Sequence, residues 1–360
     1  MTRTRTRTYA WLVAVILAAG LAACSSQPAP APAASAPPAP AVDKDQLAVF
    51  APLPTSVPPE SGALNADAVT LGRMLYYEPR LSKSQTISCN TCHDLEKYGV
   101  DGEPTSDGHK GQKGDRNSPT VYNAAAHFTQ FWDGRAPDIE AQAKGPVLNP
   151  VEMAMPGEAK VVAVLTSMPE YVELFKKAFP NDKQPITYDN MAKAIGAFER
   201  NLMTPARWDR LLDGDASALT PEEKVGLKTF LDTGCQACHN GALLGGTSYQ
   251  RLGAAKVYPD LTDPGRFKVT KVESDKGTFK VPSLRNIEKT GPYYHDGKVA
   301  SLDKAVRDMA EYQLGKKLTD EQAAQIIAFL KVLTGKIDPE YTKAPVLPKS
   351  TAATPKPDIS

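Results

Sequence analysis

The sequence contains few cysteines, histidines and tryptophans, and charge of neither sign dominates it. Its 360 residues include five cysteines, five histidines and three tryptophans, and the formal net charge is +1. Because no basic stripe stands out beyond the first few residues, the composition excludes a typical nucleic-acid-binding protein. With 41% hydrophobic residues, the chain is long enough for one large domain or two ordinary ones.

A pronounced apolar run lies at the N-terminus. Residues 11–22 follow a basic start and are too few for an ordinary membrane-spanning helix. They lead into Leu21-Ala22-Ala23-Cys24, which resembles a bacterial lipobox. We therefore predict that residues 1–23 are a lipoprotein signal peptide and that Cys24 becomes the lipidated first residue. A secretory peptide with an incidental cysteine and an uncleaved membrane anchor are the alternatives.

Segments rich in proline and alanine flank the rest of the chain. Residues 25–42 are almost entirely Pro, Ala and Ser. Such a composition cannot bury a core, so we predict an extended tether over residues 24–44. The tail at residues 346–360 is similar in composition, and we predict that it is disordered. The lipid anchor predicts a periplasmic location on a bacterial membrane, and Ser25 after the lipidated cysteine favours the outer one.

The other four cysteines occupy two identical Cys-x-x-Cys-His frames. In this motif the two sulfurs form thioether bonds to a porphyrin, and the adjacent histidine supplies a proximal ligand to iron. One copy could arise by chance or bind a metal, but two copies in an exported chain indicate two c-type haems. No thiol is left over for a disulfide. The motif residues are Cys89, Cys92 and His93 in the first frame and Cys235, Cys238 and His239 in the second.

The segment between tether and tail has the periodicity of helices. Thr220-Pro221-Glu222-Glu223 is a capping box that opens an apolar stripe running into the second haem motif. A second capping box, Thr319 to Gln322, opens another amphipathic helix, which Gly335 closes.

A weak internal repeat divides this segment into two halves. In each half a haem motif precedes a Pro…Asn…Asp-Gly segment, in which Pro to Asn spans four residues and Asn to Asp spans ten. We therefore predict an all-α fold, mainly helical with long loops. It would form two cytochrome c-like domains, at residues 45–203 and 204–345, each with one covalently bound c-type haem. The repeated positions are Pro119, Asn123 and Asp133 in the first half and Pro282, Asn286 and Asp296 in the second.

The sixth ligand of each haem iron decides between electron transfer and catalysis. In the second half Met309 lies thirteen residues past Asp296, on one helix face with Leu302 and Val306. A thioether ligand raises the reduction potential and closes the iron, which suits an electron-transfer haem. The residues alone leave open that Met309 only fills a core, with Met203 or another methionine as the ligand.

The first half lacks the equivalent methionine, because Pro146 stands thirteen residues past Asp133. The distal side of this haem is therefore open or differently filled. His109, in a glycine-rich loop, is one candidate ligand, although a solvated surface histidine is an equally good interpretation. His127 is the other candidate.

Further residues of the first half suit the cleavage of an O–O bond. That reaction needs a distal group that moves a proton between the two oxygens, and Glu152 could do so. Gln142 could orient the peroxide, while Phe131 and Trp132 are aromatic and Trp132 could lie between the haems as an electron relay. The plain alternatives are core aromatics and a surface glutamate.

From about residue 45 to residue 345, the chain resembles the bacterial di-haem cytochrome c peroxidases. The order and spacing of the motifs match throughout. The resemblance is carried by both haem motifs, Asp107-Gly108-His109, Phe131-Trp132-Asp133-Gly134-Arg135, Gln142, Asn149-Pro150-Val151-Glu152-Met153, Gly291-Pro292-Tyr293-Tyr294-His295-Asp296-Gly297 and Met309.

The resemblance implies different roles for the two haems. The first would be the low-potential peroxidatic centre, with His109 as the sixth ligand in the resting oxidised enzyme and as a group that leaves on activation. The second, with Met309 as the sixth ligand, would be the high-potential haem that receives electrons. The other implied roles are acid–base catalysis by Glu152, pocket shaping by Gln142 and Phe131, an inter-haem bridge by Trp132, a calcium ion held by oxygens of Asn117, Thr290 and Pro292, and a place near the second haem for His295.

The implied reaction is the reduction of hydrogen peroxide to water. Two electrons would come from a small periplasmic cytochrome c or cupredoxin, and the redox chemistry would belong to haem. The resemblance also implies a homodimer that meets the membrane only through its lipid. One alternative is a maturation enzyme that oxidises protein-bound tryptophan and uses a tyrosine ligand at the second haem, against which Met309 argues. The other is a non-catalytic di-haem electron carrier, against which Glu152 and the missing methionine of the first half argue.

Overall fold

The computed structural model describes residues 44–59 and 65–360. The predicted signal peptide, Cys24 and nearly all of the tether lie outside the described residues. No helix among the described residues is both long and apolar enough to cross a membrane.

Helices account for most of the regular structure, as predicted. The helices longer than one turn are α1 (Ala66–Tyr76), α2 (Ile139–Leu148), α3 (Glu158–Thr166), α4 (Pro169–Ala178), α5 (Tyr188–Glu199), α6 (Arg207–Leu212), α7 (Pro221–Thr233), α8 (Leu302–Asp308) and α9 (Asp320–Val332). Single α-turns are Lys44–Leu47, Cys89–Cys92, Phe267–Thr270 and Pro339–Thr342, and a π-helical turn at Met309–Gln313 follows α8. A small antiparallel ribbon pairs β1 (Tyr249–Arg251) with β2 (Thr278–Lys280).

Both predicted capping boxes are present in the structure. Thr220 Oγ1 accepts from the Glu223 backbone N–H at 3.3 Å, and the Glu223 carboxylate accepts from the Thr220 N–H at 2.8 Å. Thr319 and Gln322 exchange the same two bonds at the start of α9, at 3.0 and 3.1 Å. Each box satisfies N–H groups that would otherwise lack partners at a helix start, so α7 and α9 begin where the sequence predicts.

Two hydrophobic cores each surround one packed pair of helices, and Phe50, from the predicted first domain, packs in the second core. In the first half α1 packs on α5, and a Cβ added to Gly72 would lie 1.8 Å from Ala194 O. In the second half α7 packs on α9, and a Cβ on Gly226 would lie 2.1 Å from Gln325 O. A missing side chain at each crossing is therefore what lets the two backbones approach so closely.

The internal repeat predicted from the sequence is confirmed by the backbone. Asn123 and Asn286 both adopt a left-handed conformation, with φ of 62° and 60°. Their side-chain amides both donate to the hydroxyl oxygen of Thr204, at 2.8 and 2.9 Å. Thr204 is fully buried and stands where the two predicted domains meet, so the equivalent asparagines converge on one residue that joins the halves.

The tail at residues 346–360 is not disordered, in contrast to the sequence-based prediction. Arg80 donates to Pro348 O at 2.8 Å, Gln85 donates to Pro355 O at 2.8 Å, and the Asp358 N–H donates to Lys83 O at 2.9 Å. Composition predicted disorder because a Pro- and Ala-rich segment buries little apolar area. The tail is held instead through its backbone carbonyl and N–H groups, which composition does not reveal.

Candidate functional site

The first haem motif opens onto a cavity of about 750 Å³. Cys89 and Cys92 lie on the single helical turn that Ser88 caps, and His93 follows at its end. All three residues line the cavity. The turn therefore presents two sulfurs and an imidazole to one space, as covalent haem attachment requires.

The protonation state of His93 fits a proximal iron ligand. Burial lowers the pKa of its imidazole, so the ring is neutral and can offer a lone pair to a metal. Its Nδ1 is buried and has no hydrogen-bond partner among the described residues. Burial also raises the pKa of Cys92 to about 11, so these sulfurs are thiols rather than thiolate ligands, which suits thioether formation.

An acidic side chain lies in the wall of the first cavity. Glu152 Oε1 accepts from Asn149 Nδ2 at 2.8 Å. Burial raises the pKa of Glu152, while the charge of Arg135 and the bond from Asn149 partly oppose this shift. The Arg135 guanidinium lies 3.4 Å from the centre of the Phe131 ring. A carboxyl group with a raised pKa holds a proton more readily than an ordinary one, which suits a group that takes and returns a proton.

The other predicted pocket residues share this cavity. Gln142 projects from α2, and Pro146 from the same helix occupies the position that corresponds to Met309 in the repeat. Proline has no side-chain donor for iron, so this position offers no thioether, and Met153 is the methionine that lines the first cavity. Phe131, Trp132, Gln142 and Glu152, the four predicted catalytic residues, all line the first cavity.

His109 does not line the first cavity. Its backbone N–H donates to Glu152 O at 2.7 Å, which ties its loop to the Glu152 segment. Its imidazole is buried, with Nδ1 unpartnered and Nε2 3.5 Å from Ser360 O. The structure therefore holds the predicted sixth ligand outside the haem space, on the side of the C-terminal tail.

The second haem motif opens onto a smaller cavity, of about 230 Å³. Cys235, Cys238 and His239 line it. His239 Nδ1 lies 3.0 Å from Leu244 O, and because a carbonyl only accepts, Nδ1 must donate. Nε2 is then the unprotonated nitrogen, ready to bind iron. Burial lowers the pKa of this imidazole as well.

Met309 is placed in the second cavity, and its rivals are not. It begins the π-helical turn after α8 and lines the cavity wall. Met203 packs with Leu53 and Leu243 in a separate hydrophobic cluster. Among the described methionines, Met309 is therefore the one that lines the second cavity.

Two tyrosines of the second cavity, Tyr293 and Tyr294, use their hydroxyl groups in hydrogen bonds. Tyr293 donates to Ile287 O at 3.1 Å, and Tyr294 donates to Ala305 O at 2.9 Å. Tyr312 does not line the cavity and packs its ring on Tyr258, with 5.2 Å between ring centres. The Tyr293 and Tyr294 hydroxyls are thus engaged in hydrogen bonds and Tyr312 lies outside the lining, so none is placed to replace the Met309 sulfur in this arrangement.

The residues predicted to hold calcium lie at the second cavity, and of the three only Asn117 also lines the first. Asn117, Thr290 and Pro292 all line the second cavity. The Asn117 amide nitrogen donates to Glu103 O at 3.0 Å, and its backbone carbonyl accepts from the Trp132 indole at 2.9 Å. No group of three or more His, Cys, Asp or Glu side chains in the described part of the chain could hold a metal ion. A cation here would depend on amide and carbonyl oxygens.

His295 is fixed beside the second cavity by two contacts. Its ring stacks on Phe279, with 4.3 Å between ring centres, and its carbonyl accepts from the Asn117 N–H at 2.8 Å. It therefore links the second haem wall to the predicted calcium residue.

Sequence reasoning missed two polar clusters, one at the first cavity and one in the wall between the cavities. Arg116 binds Asp133 and Asp263, each at 2.6 Å. Lys280 Nζ lies 2.8 Å from His127 Nδ1. A usable signal was present for Lys280, because it is a lysine with apolar neighbours on both sides, Phe279 and Val281. Its partner lies 153 residues away and could not be identified without the fold.

Known proteins match this chain in sequence over most of its length. A family model described as "Di-haem cytochrome c peroxidase" matches residues 66–217. The cytochrome c551 peroxidase of Pseudomonas aeruginosa is 47% identical over 317 residues, which cover 86% of this chain and 90% of that protein. The methylamine utilization protein MauG of Methylorubrum extorquens is 34% identical over 308 residues, which cover 82% of this chain and 86% of that protein.

A solved structure shares both sequence and fold. The crystal structure of a MauG-like protein associated with microbial copper homeostasis is 29% identical, with a TM-score of 0.72. The match covers 81% of this chain and 97% of that one. The two-domain helical architecture is therefore shared with a known protein, and the paired cavities fit two c-type haems.

Proposed function

This chain belongs to the di-haem cytochrome c peroxidase family and is an enzyme of the cytochrome c peroxidase class; on that premise we propose that peroxide is cleaved at the first cavity and that electrons are received at the second. The observation that carries this proposal is the asymmetry of the two cavities. The larger has an acid of raised pKa, Glu152, and has Pro146 at the position where the smaller has Met309. The smaller has Met309 and no comparable acid among its lining residues.

The residues of the first cavity have distinct tasks in this proposal. Haem supplies the redox chemistry when bound. Glu152 would accept a proton from the peroxide oxygen that faces the haem. It would return this proton to the other oxygen, which then leaves as water. Gln142 donates a hydrogen bond that orients the peroxide, and Phe131, held under the Arg135 guanidinium, limits the space beside it.

The residues of the second cavity serve electron transfer. His239 and Met309 would hold the iron of the second haem, and a thioether ligand would favour the reduced state and leave no site for peroxide. Trp132 lines both cavities and provides an aromatic group in the wall between them. The donor is a small periplasmic cytochrome c or a cupredoxin.

His109 acts in the proposal as a ligand of the resting first haem that leaves on activation. Its glycine-flanked loop and its position outside the cavity support a residue that can occupy two places. Calcium bound through Asn117, Thr290 and Pro292 would stabilise the wall between the cavities. The lipobox at Cys24 supports a periplasmic protein anchored by lipid to the outer membrane, and a homodimer is part of the same proposal.

One experiment tests the proposal directly. The protein, loaded with both haems and calcium, is reduced by one electron and mixed with hydrogen peroxide, and the oxidation of a reduced small cytochrome c is followed. Turnover is expected from the half-reduced protein. Absence of turnover with calcium present and both haems intact would contradict the proposal, and electron exchange without peroxide consumption would indicate a plain electron carrier.

A further inference from the structure

A lysine–histidine pair lies in the wall between the two haem cavities. Lys280 and His127 each line both cavities, as does Trp132. Lys280 ends strand β2, and its backbone N–H donates to Trp132 O at 2.8 Å. The pair therefore occupies the layer of protein that an electron crosses between the haems.

The hydrogen bonds of the pair leave one donor unused. Lys280 Nζ donates to His127 Nδ1 at 2.8 Å and to Thr129 O at 3.0 Å. An ammonium group has no acceptor, so His127 Nδ1 must accept and the ring proton lies on Nε2. His127 Nε2 is buried, and it has no partner among the described residues. A buried donor without a partner is rare in native proteins and points to a group that binds there.

The charge of Lys280 also lacks a direct counter-ion. Lys280 is 6% exposed, and in the described part of the chain no carboxylate pairs with it. Asp133 is the acid whose charge stabilises its ammonium form, yet the Asp133 carboxylate is bound by Arg116 at 2.6 Å and by Arg135 at 3.2 Å. Burial lowers the pKa of Lys280 to about 7. A cation in such a place is costly unless an anion accompanies it.

Haem brings the anion that this site lacks, because each haem carries two propionate carboxylates. We propose that Lys280 and His127 form a cationic positioning pair that binds a haem propionate in the wall between the cavities. A positive charge on Lys280 would then stabilise the reduced form of that haem, in the wall that Trp132 also lines. The proposal rests on haem occupancy of the two cavities and on electron transfer between them, but not on peroxide cleavage.

The test measures equilibrium reduction potentials, which do not depend on turnover. Spectroelectrochemical titration of both haems is carried out on the intact holoprotein and on K280M, K280R and H127L. We expect K280M to lower the potential of one haem, so that its oxidised-to-reduced ratio at a given applied potential rises at least tenfold, about 59 mV for a one-electron couple. K280R keeps the charge and should stay within threefold of the parent, and H127L should shift the same haem in the same direction by less.

A matched control separates the local charge from a general loss of lysine. Lys276 is exposed and pairs with Glu273 at 2.7 Å, so K276M should leave both potentials unchanged. Equal potentials in K280M and K276M, at full haem content, would overturn the proposal. If K280M does not retain haem, H127L decides, because unchanged potentials in H127L exclude a propionate on the pair. If the parent protein lacks peroxidase activity but the variants show these potential shifts, the proposed function is wrong. The propionate site is supported all the same.

Discussion

The two halves of the molecule share a backbone plan and differ in what closes their haem cavities. The second cavity is small, and Met309 lines its wall. His239 Nδ1 donates to Leu244 O, and the Tyr293 hydroxyl donates to Ile287 O. The first is about three times larger, and a proline stands in place of the methionine. The two halves therefore keep a common backbone plan at the repeated segments and differ in the residues that line the haem cavities.

The segments that hold the repeated asparagines show the same divergence. In the first half Tyr122 precedes Asn123, and its hydroxyl donates to Leu95 O at 2.9 Å. In the second half Arg285 precedes Asn286 and makes two bonds to Asp209, at 2.7 and 2.8 Å. A neutral contact in one half is replaced by a buried ion pair in the other, so the halves should respond differently to acid.

The largest expected effect is that of Glu152→Gln on catalysis at the first cavity. Glutamine keeps the size of the side chain but cannot move a proton. We expect the rate of O–O cleavage to fall by about 10²–10⁴-fold, with haem content and the second haem's potential unchanged. Stopped-flow mixing of the half-reduced protein with peroxide measures the rate. Glu158→Gln, the same change at an exposed residue on α3, is the control, and equal rates in the two variants would remove the acid–base role.

The second-largest expected effect is a loss of folding stability in the second half, caused by Asp209→Asn. Asp209→Asn leaves the Arg285 guanidinium, whose side chain is 0% exposed, without its carboxylate. Breaking a buried pair in this way costs about 3–5 kcal/mol, measured by urea unfolding at pH 7. Asp215→Asn, which breaks an exposed pair with Arg210, should change stability far less.

Acid should diminish the Asp209 effect, which gives an independent check. Burial acts to raise the pKa of Asp209, but the hydrogen bonds and charge of Arg285 outweigh it and the pKa is lowered. The stability contributed by the pair is therefore present above the unfolded-state pKa, near 3.9, and is lost as pH falls through the lower folded value. The difference between parent and Asp209→Asn should shrink below about pH 4. A difference that persists in strong acid would mean that the pair is not its source.

A smaller effect should be confined to the second haem. Met309→His replaces a thioether by an imidazole, which stabilises oxidised iron and lowers the reduction potential. We expect the oxidised-to-reduced ratio of that haem to rise by more than tenfold, about 59 mV for a one-electron couple, in a potentiometric titration. Met203→Leu, at a buried methionine that lines neither cavity, is the control. An unchanged potential in Met309→His would show that another group is the ligand.

The parts of the site that sequence could predict are those in which chemistry demands contiguous residues. Both haem motifs, the repeat spacing and the capping boxes depend on neighbours along the chain, and all are present in the structure. The Lys280–His127 and Asp209–Arg285 pairs join residues 153 and 76 positions apart. Only the packing of the helices brings them together. The position of His109 could not be predicted from the sequence either. It depends on whether the tail, whose composition is typical of disorder, forms backbone hydrogen bonds with the first half.

The smallest expected effect is on the His109 loop and concerns that tail. Deletion of residues 346–360 removes backbone bonds at Arg80, Gln85 and Lys83 and the Ser360 oxygen that His109 Nε2 faces at 3.5 Å. These bonds are near the surface, and the tail loses entropy when it is held, so the net loss of stability should be about 1–2 kcal/mol. Amide exchange at residues 108–112 should speed up while exchange at residues 302–313 stays unchanged, since the tail contacts the first half. Equal exchange at residues 108–112 with and without the tail would mean that the bonds to Val151 and Glu152 alone hold the loop.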